Sequence, residues 1–189
     1  MRGGYYGDSF EDRSIRKFKI SKNYTNKVKL SWTRDKDAKG YEIYQYKSKK
    51  WVKVATVKGT SKVIKKLQAG TSYKFCIRGY KETEEETIYT EFKNLKVITC
   101  PKKLKITDVV AKTTEFTLKW QKEKASGYEI QYCTSKKFRK NVKSINVKKS
   151  KKNVTIKKLE RGKTYYVRIR AYSKVNGTKY YGSWSKAKR

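Results

Sequence analysis

Apolar and polar residues alternate with a period of two in short runs along most of this chain. Val28, Leu30 and Trp32 alternate with Lys29 and Ser31, and Tyr41 and Ile43 with Glu42 and Tyr44. Tyr73, Phe75 and Ile77 alternate with Lys74, Cys76 and Arg78. The pattern returns later with Phe116, Leu118 and Trp120, then Tyr128 and Ile130, then Tyr165, Val167, Ile169 and Ala171. Neighbouring side chains on a strand point to opposite faces, so each run predicts a strand with one apolar and one polar face. No window sustains a helical period. Many such strands predict two sheets packed over a shared core. Turn residues fall between the runs: 35–40 end at Gly40, Ala69-Gly70 and Arg161-Gly162 precede the Tyr strands, and Asn176-Gly177 is a hairpin signal.

The runs also repeat. Trp32 matches Trp120, and Gly-Tyr-Glu-Ile recurs at Gly40 and Gly127. KKLQAGTSYKFCIRGY, ending at Tyr80, matches KKLERGKTYYVRIRAY, ending at Tyr172, and residues 88–92 match 180–184. The offset grows from 87 at the Gly-Tyr-Glu-Ile motif to 92 later, so the second copy carries five extra residues between those points. An insertion of that size belongs in a loop. With 189 residues, the chain suits two sandwiches of roughly 90–100 residues each. The expected division is a flexible tail at 1–14, one module at 15–99 and another at 100–189, with the single proline, Pro101, at the junction. The second copy has only Ser185 to Arg189 after Trp184, so its last strand is expected to be short and the native chain to continue.

Composition narrows the function. The 16 Tyr, 6 Phe and 4 Trp favour pleated, half-buried surfaces and oppose disorder despite 35% charged residues. Formal net charge is +35. Lysines far outnumber arginines, and lysine is a hydrated point charge without the planar fork that reads phosphates and bases. Such a surface fits weak polyanion attraction, or sheet edges kept apart, more than sequence-specific nucleic-acid recognition. Cys76, Cys100 and Cys133 are an odd set without a CxxC, and there is no His. These residues offer no zinc ligand set and lack the commonest general base. No cofactor or metal is expected. No stretch approaches the length of a membrane span.

Read together, the early Trp, the Tyr-x-Ile strand, Leu-x5-Tyr and the late aromatic resemble the fibronectin type III family. The resemblance covers about 15–189 and implies an all-β fold of two consecutive seven-stranded, immunoglobulin-like β-sandwiches. It gives structural roles to Trp32, Trp120 and Trp184. Leu67 with Tyr73, and Leu159 with Tyr165, resemble the tyrosine corner, whose Tyr hydroxyl bonds backbone upstream. GKTYYVRIRAY and YYGSWS look like arrays in surface proteins of Gram-positive bacteria. The family implies a non-catalytic, extracellular or cell-surface segment whose signal peptide lies outside this chain. Its expected partners are neighbouring domains of the same polypeptide, and an anionic wall polymer or a host glycan or protein.

Three features are candidates for more than scaffolding. Trp184 is placed beside Arg168 and Arg170 on adjoining outer strands, resembling the Trp–Arg ladder of cytokine receptors, with Glu129 near one arginine and Glu42 near Arg78. A cation–π cluster of this type serves structure at about 0.5–1 kcal/mol per exposed contact. Between 136 and 158 eleven basic residues occur with no acid: Lys136, Lys137, Arg139, Lys140, Lys143, Lys148, Lys149, Lys151, Lys152, Lys157 and Lys158. They form either a surface for teichoic acid, sulfated glycan or mucin, or a guard on a sheet edge. Residues 15–99 hold 22 basic and 8 acidic residues, net +14, against 27 and 5, net +22, for 100–189. Glu82, Glu84, Glu85 and Glu86 lack a calcium-loop pattern. Tyr5, Tyr6, Tyr180 and Tyr181 are candidate exposed aromatics. No nucleophile elbow, phosphate loop or Arg-Gly-Asp occurs.

Overall fold

A computed structural model describes residues 9–189. Residues 1–8, with Tyr5, Tyr6 and most of the expected tail, lie outside the described residues. The rest of that tail is held, contrary to expectation. Phe10 is buried, Arg13 reaches both Asp35 and Asp37, and Ser14 bridges Glu91. An apolar anchor and two carboxylate partners outweigh the entropy of a free terminus.

The chain forms two compact units, the main body of the first ending at Val97 and that of the second running from Ile98 to Arg189. The first contains β1 (Lys19–Asn23), β2 (Val28–Ser31), β3 (Gly40–Lys47), β4 (Lys50–Val57), β5 (Ser61–Ile64), β6 (Ser72–Glu82), β7 (Thr87–Tyr89) and β8 (Lys93–Ile98). One sheet runs β1-β2-β5 and the other β4-β3-β6-β7, with β8 also on β6. The second contains β9 (Ile106–Ala111), β10 (Phe116–Trp120), β11 (Gly127–Cys133), β12 (Lys143–Lys148), β13 (Asn153–Ile156), β14 (Tyr166–Val175) and β15 (Thr178–Tyr181). Its sheets run β13-β10-β9 and β12-β11-β14-β15. The strand ladders are antiparallel throughout.

The alternating residues fill the cores. Val28, Leu30, Tyr41, Ile43, Phe75 and Ile77 are fully buried in the first unit, as are Leu118, Tyr128, Ile130 and Ile169 in the second. Each core repeats an edge-to-face pair: Trp32 on Tyr41 with centroids 5.4 Å apart, and Trp120 on Tyr128 at 5.3 Å. The recurrent glycine has a packing reason. Gly40 pairs with Tyr80 and Gly127 with Tyr172, and each Tyr ring covers the space where a glycine Cβ would stand.

The first unit shows eight strands because its last is broken. β7 and β8 both pair with β6, but residues 90–92 kink between them. There the Thr90 hydroxyl accepts from the Gly79 N–H at 2.8 Å. In the second unit the Ser185 hydroxyl accepts from the Ile169 N–H at 3.0 Å. Beyond β15 the chain continues beside β14, with Lys188 and Val167 exchanging both backbone hydrogen bonds at 2.9 Å.

Most of the insertion falls in one connection, with the remainder in the turn between β12 and β13. β3 and β4 are joined by residues 48–49, whereas β11 and β12 are joined by 134–142. The short turn holds Ser48 and Lys49 at φ of 48° and 64°. Both are left-handed, as a two-residue hairpin with the right twist requires, though neither is glycine.

Candidate functional site: the outer sheet faces and the lysine stretch

Strand alternation sends Glu42 and Tyr44 of β3 and Arg78 of β6 to the outer face of the larger sheet, opposite Ile43 and Ile77. That face builds its own cluster. The Glu42 carboxylate, 9% exposed, accepts from the Tyr44 hydroxyl at 2.8 Å, Lys53 Nζ at 3.1 Å and Arg78 Nε at 2.9 Å. Burial raises the Glu42 pKa, but these three donors outweigh it and hold the group below its ordinary value. The Arg78 guanidinium lies 3.6 Å from the Tyr89 ring centre and 4.9 Å from that of Phe92.

Period two assigns Cys76 to the polar face. It does lie there, opposite Tyr44 in register, yet it is buried. The face is overlaid by aromatic and guanidinium groups, so outward does not mean wet. Burial pushes the Cys76 thiol up to about 11. Cys100 and Cys133 are also buried, and none of the three is paired with another in a disulfide. A thiol raised as far as that of Cys76 is a poor nucleophile.

The second unit extends the same arrangement. Arg168 lies 4.2 Å from the Phe138 ring centre and 4.3 Å from Trp184, while Arg170 lies 4.3 Å from Trp184 and 3.7 Å from Tyr181. The stack therefore reads Phe138, Arg168, Trp184, Arg170, Tyr181. Arg170 pairs with Glu129 at 3.1 Å. Arg168 donates twice to the Gln131 amide oxygen, at 3.0 and 2.6 Å. Burial and the adjacent Arg170 push Arg168 below its ordinary pKa.

Sequence reading places Trp184, Arg168 and Arg170 on this face but misses Phe138 and the second role of Tyr181. Phe138 sits in the insertion at a φ of 52°, and nothing local in the sequence ties it to β14. Tyr180 and Tyr181, expected as exposed aromatics, are half-buried, and Tyr181 also meets Tyr172 edge-on. At the predicted corner, the Tyr165 hydroxyl accepts from the Glu160 N–H at 3.2 Å, and Leu159 N–H donates to the Thr114 carbonyl at 2.9 Å. Leu67 is buried and Tyr73 half-buried in the first unit.

All eleven basic residues of 136–158 are exposed. Lys136, Lys137, Arg139 and Lys140 occupy the connection before β12, and Lys143 opens that strand. Lys148, Lys149, Lys151 and Lys152 surround the turn at its far end, and Lys157 and Lys158 follow β13 back. β12 and β13 are the outer strands of their two sheets. Six residues at about 3.3 Å each put roughly 20 Å between the two ends. The stretch is therefore two basic groups along one edge, not one patch. Glu82 of the acidic run pairs with Lys39. Among the described residues no three His, Cys, Asp or Glu side chains gather where they could hold a metal.

These are tandem antiparallel β-sandwiches of the immunoglobulin-like kind, the first closing one face with Arg78 stacked on aromatics and the second with Arg168 and Arg170. The fibronectin type III domain model matches residues 13–92 and 100–186, and the chain belongs to that family. Among solved structures it is similar to a two-domain fibronectin type III segment of chicken tenascin, at 18% identity over 90% of this chain and 95% of that one, TM-score 0.47. The first three fibronectin domains of chicken CNTN1 share 16% identity, over 94% of this chain and 66% of that one, TM-score 0.48. No curated protein sequence matches.

Proposed function

We propose that this chain is a non-catalytic spacer and adhesion segment of a bacterial cell-surface or secreted protein, with modules at 15–99 and 100–189. Two modules of one adhesion-type family in direct succession carry the reading. The face that carries clustered polar side chains supports it further. Glu42, Arg78, Arg168 and Arg170 spend their charges on one another and on rings in the same module, which suits a rigid support. Protease treatment of intact source cells tests the assignment. Loss of the chain from unbroken cells is expected; full protection until lysis, with recovery in the cytosolic fraction, overturns it.

The exposed lysines favour a second reading, contact with an anionic polymer along the β12–β13 edge. Retention on a heparin column compares the chain with one carrying Lys136→Ser, Lys137→Ser, Lys148→Ser and Lys149→Ser. Elution at clearly lower salt supports the contact, since each phosphate- or sulfate-pairing cation steepens the salt dependence. Equal elution salt removes it.

A further inference from the structure

The open end of the first module's outer face carries aromatics that have no part in the Glu42–Arg78 cluster. Tyr46, near the end of β3, and Trp51, near the start of β4, are direct cross-strand partners. Their rings meet edge-on at 5.4 Å, and 41% and 42% of the two residues remain exposed. Lys74 of β6 places its ammonium 5.6 Å from the Tyr46 ring centre. Exposed Lys47, Lys49 and Lys50 belong to the same hairpin. The nearest acid on these strands is Glu42, already bound to Arg78, Lys53 and Tyr44.

Comparison of the two modules isolates this feature. In the second, the position of Tyr46 is taken by buried Cys133, and the long insertion lays Phe138 against the arginine stack. In the first, the connection is only two residues and leaves an uncovered aromatic pair. Neighbouring Tyr and Trp on one hairpin, over 40% exposed, are not explained by core packing. Large exposed aromatics ringed by charge mark contact surfaces.

We propose that Tyr46 and Trp51 form a stacking platform for an acidic saccharide, one sugar ring lying on the aromatic pair and its sulfate or carboxylate groups meeting Lys74, Lys49 and Lys50. Charge decides the ligand class: the cations are lysines, point charges on flexible stems that follow scattered anions. Size decides against a protein partner, because two rings are far short of the apolar centre of an interface burying about 1,600 Å² in total. The site is separate from the lysine stretch of the second module, and the test keeps them separate. Calorimetric titration uses the full chain carrying the four second-module Lys→Ser substitutions, at about 150 mM salt. The probes are a heparin-derived tetrasaccharide and a short inorganic polyphosphate, which has charge but no sugar ring. Trp51→Ala is expected to weaken the tetrasaccharide about tenfold or more, a loss typical of an aromatic anchor. Trp51→Phe, which keeps a ring face, should weaken it less than about threefold. Polyphosphate binding should change less than about twofold in both variants. Unchanged tetrasaccharide binding in Trp51→Ala, equal losses for both probes, or no saturable tetrasaccharide binding by the parent each overturn the platform. Residue 51 is exposed on a hairpin, so the variants fold; unchanged far-ultraviolet circular dichroism verifies it.

Discussion

Truncating Glu42 to alanine measures how much of the first module rests on its outer face. The carboxylate receives hydrogen bonds from Tyr44, Lys53 and Arg78, with Arg78 Nη2 also at 2.8 Å. Breaking a buried ion pair by removing one partner costs about 3–5 kcal/mol. Arg78 is 22% exposed and keeps the Tyr44 hydroxyl at 3.0 Å, so part of its charge stays solvated or bonded. The expected cost of Glu42→Ala is therefore at or just below the low end, about 2–3 kcal/mol. Arg78→Met should cost about 2 kcal/mol, and the double variant less than the sum by about 1 kcal/mol, because the residues share one network. Urea unfolding gives the energies, and amide exchange at Ile43 and Ile77 assigns them to this module. The pH dependence follows from the depressed Glu42 pKa. Its contribution is full above the unfolded carboxylate value of about 4.3 and fades as pH falls through the lower folded value. The gap between the parent chain and Glu42→Ala should thus close only below about pH 4. Additive single costs, or a gap that persists unchanged to pH 2, would refute the network argument.

Trp184→Ala removes the ring shared by Arg168 and Arg170 and should cost the second module about 2 kcal/mol by urea unfolding, with Trp184→Phe recovering part of it. Tyr165→Phe deletes the acceptor for the Glu160 N–H and should cost about 1 kcal/mol in the same assay. Replacing Ser48-Lys49 by Asn-Gly supplies residues that adopt the left-handed conformation readily, and should raise the stability of the first module by about 1 kcal/mol in thermal unfolding.

The strands were legible because Trp32, Tyr41, Ile43, Phe75 and their later counterparts obey a period of two, and a strand in a sandwich has little else to report. Period two divides residues into inner and outer but not into dry and wet. Cys76 and Glu42 face outward as the period predicts, but their burial is not legible from it, because Arg78 and the rings of Tyr89 and Phe92 that stack on it come from other segments of that face. Phe138 was hidden for the same reason: the offset revealed an insertion but not what it covers. The Ser48-Lys49 turn carries no glycine signal, so only the backbone angles expose it. The lysine stretch looked continuous in sequence, but a strand and a reversal divide it in space.

The kink at residues 90–92 has a consequence for a chain built of similar modules in series. Neighbours on one polypeptide meet at effective concentrations in the millimolar range, where a straight open edge invites the strand of another copy. The last strand here is broken at residues 90–92 into two shorter runs. Thr90 turns its hydroxyl into the ladder where a carbonyl would have stood, and Ser185 does so in the second module. An invading strand brings backbone groups in regular spacing and finds the spacing interrupted. The same hydroxyls that close each module's own hydrogen bonds mark the point where that spacing breaks.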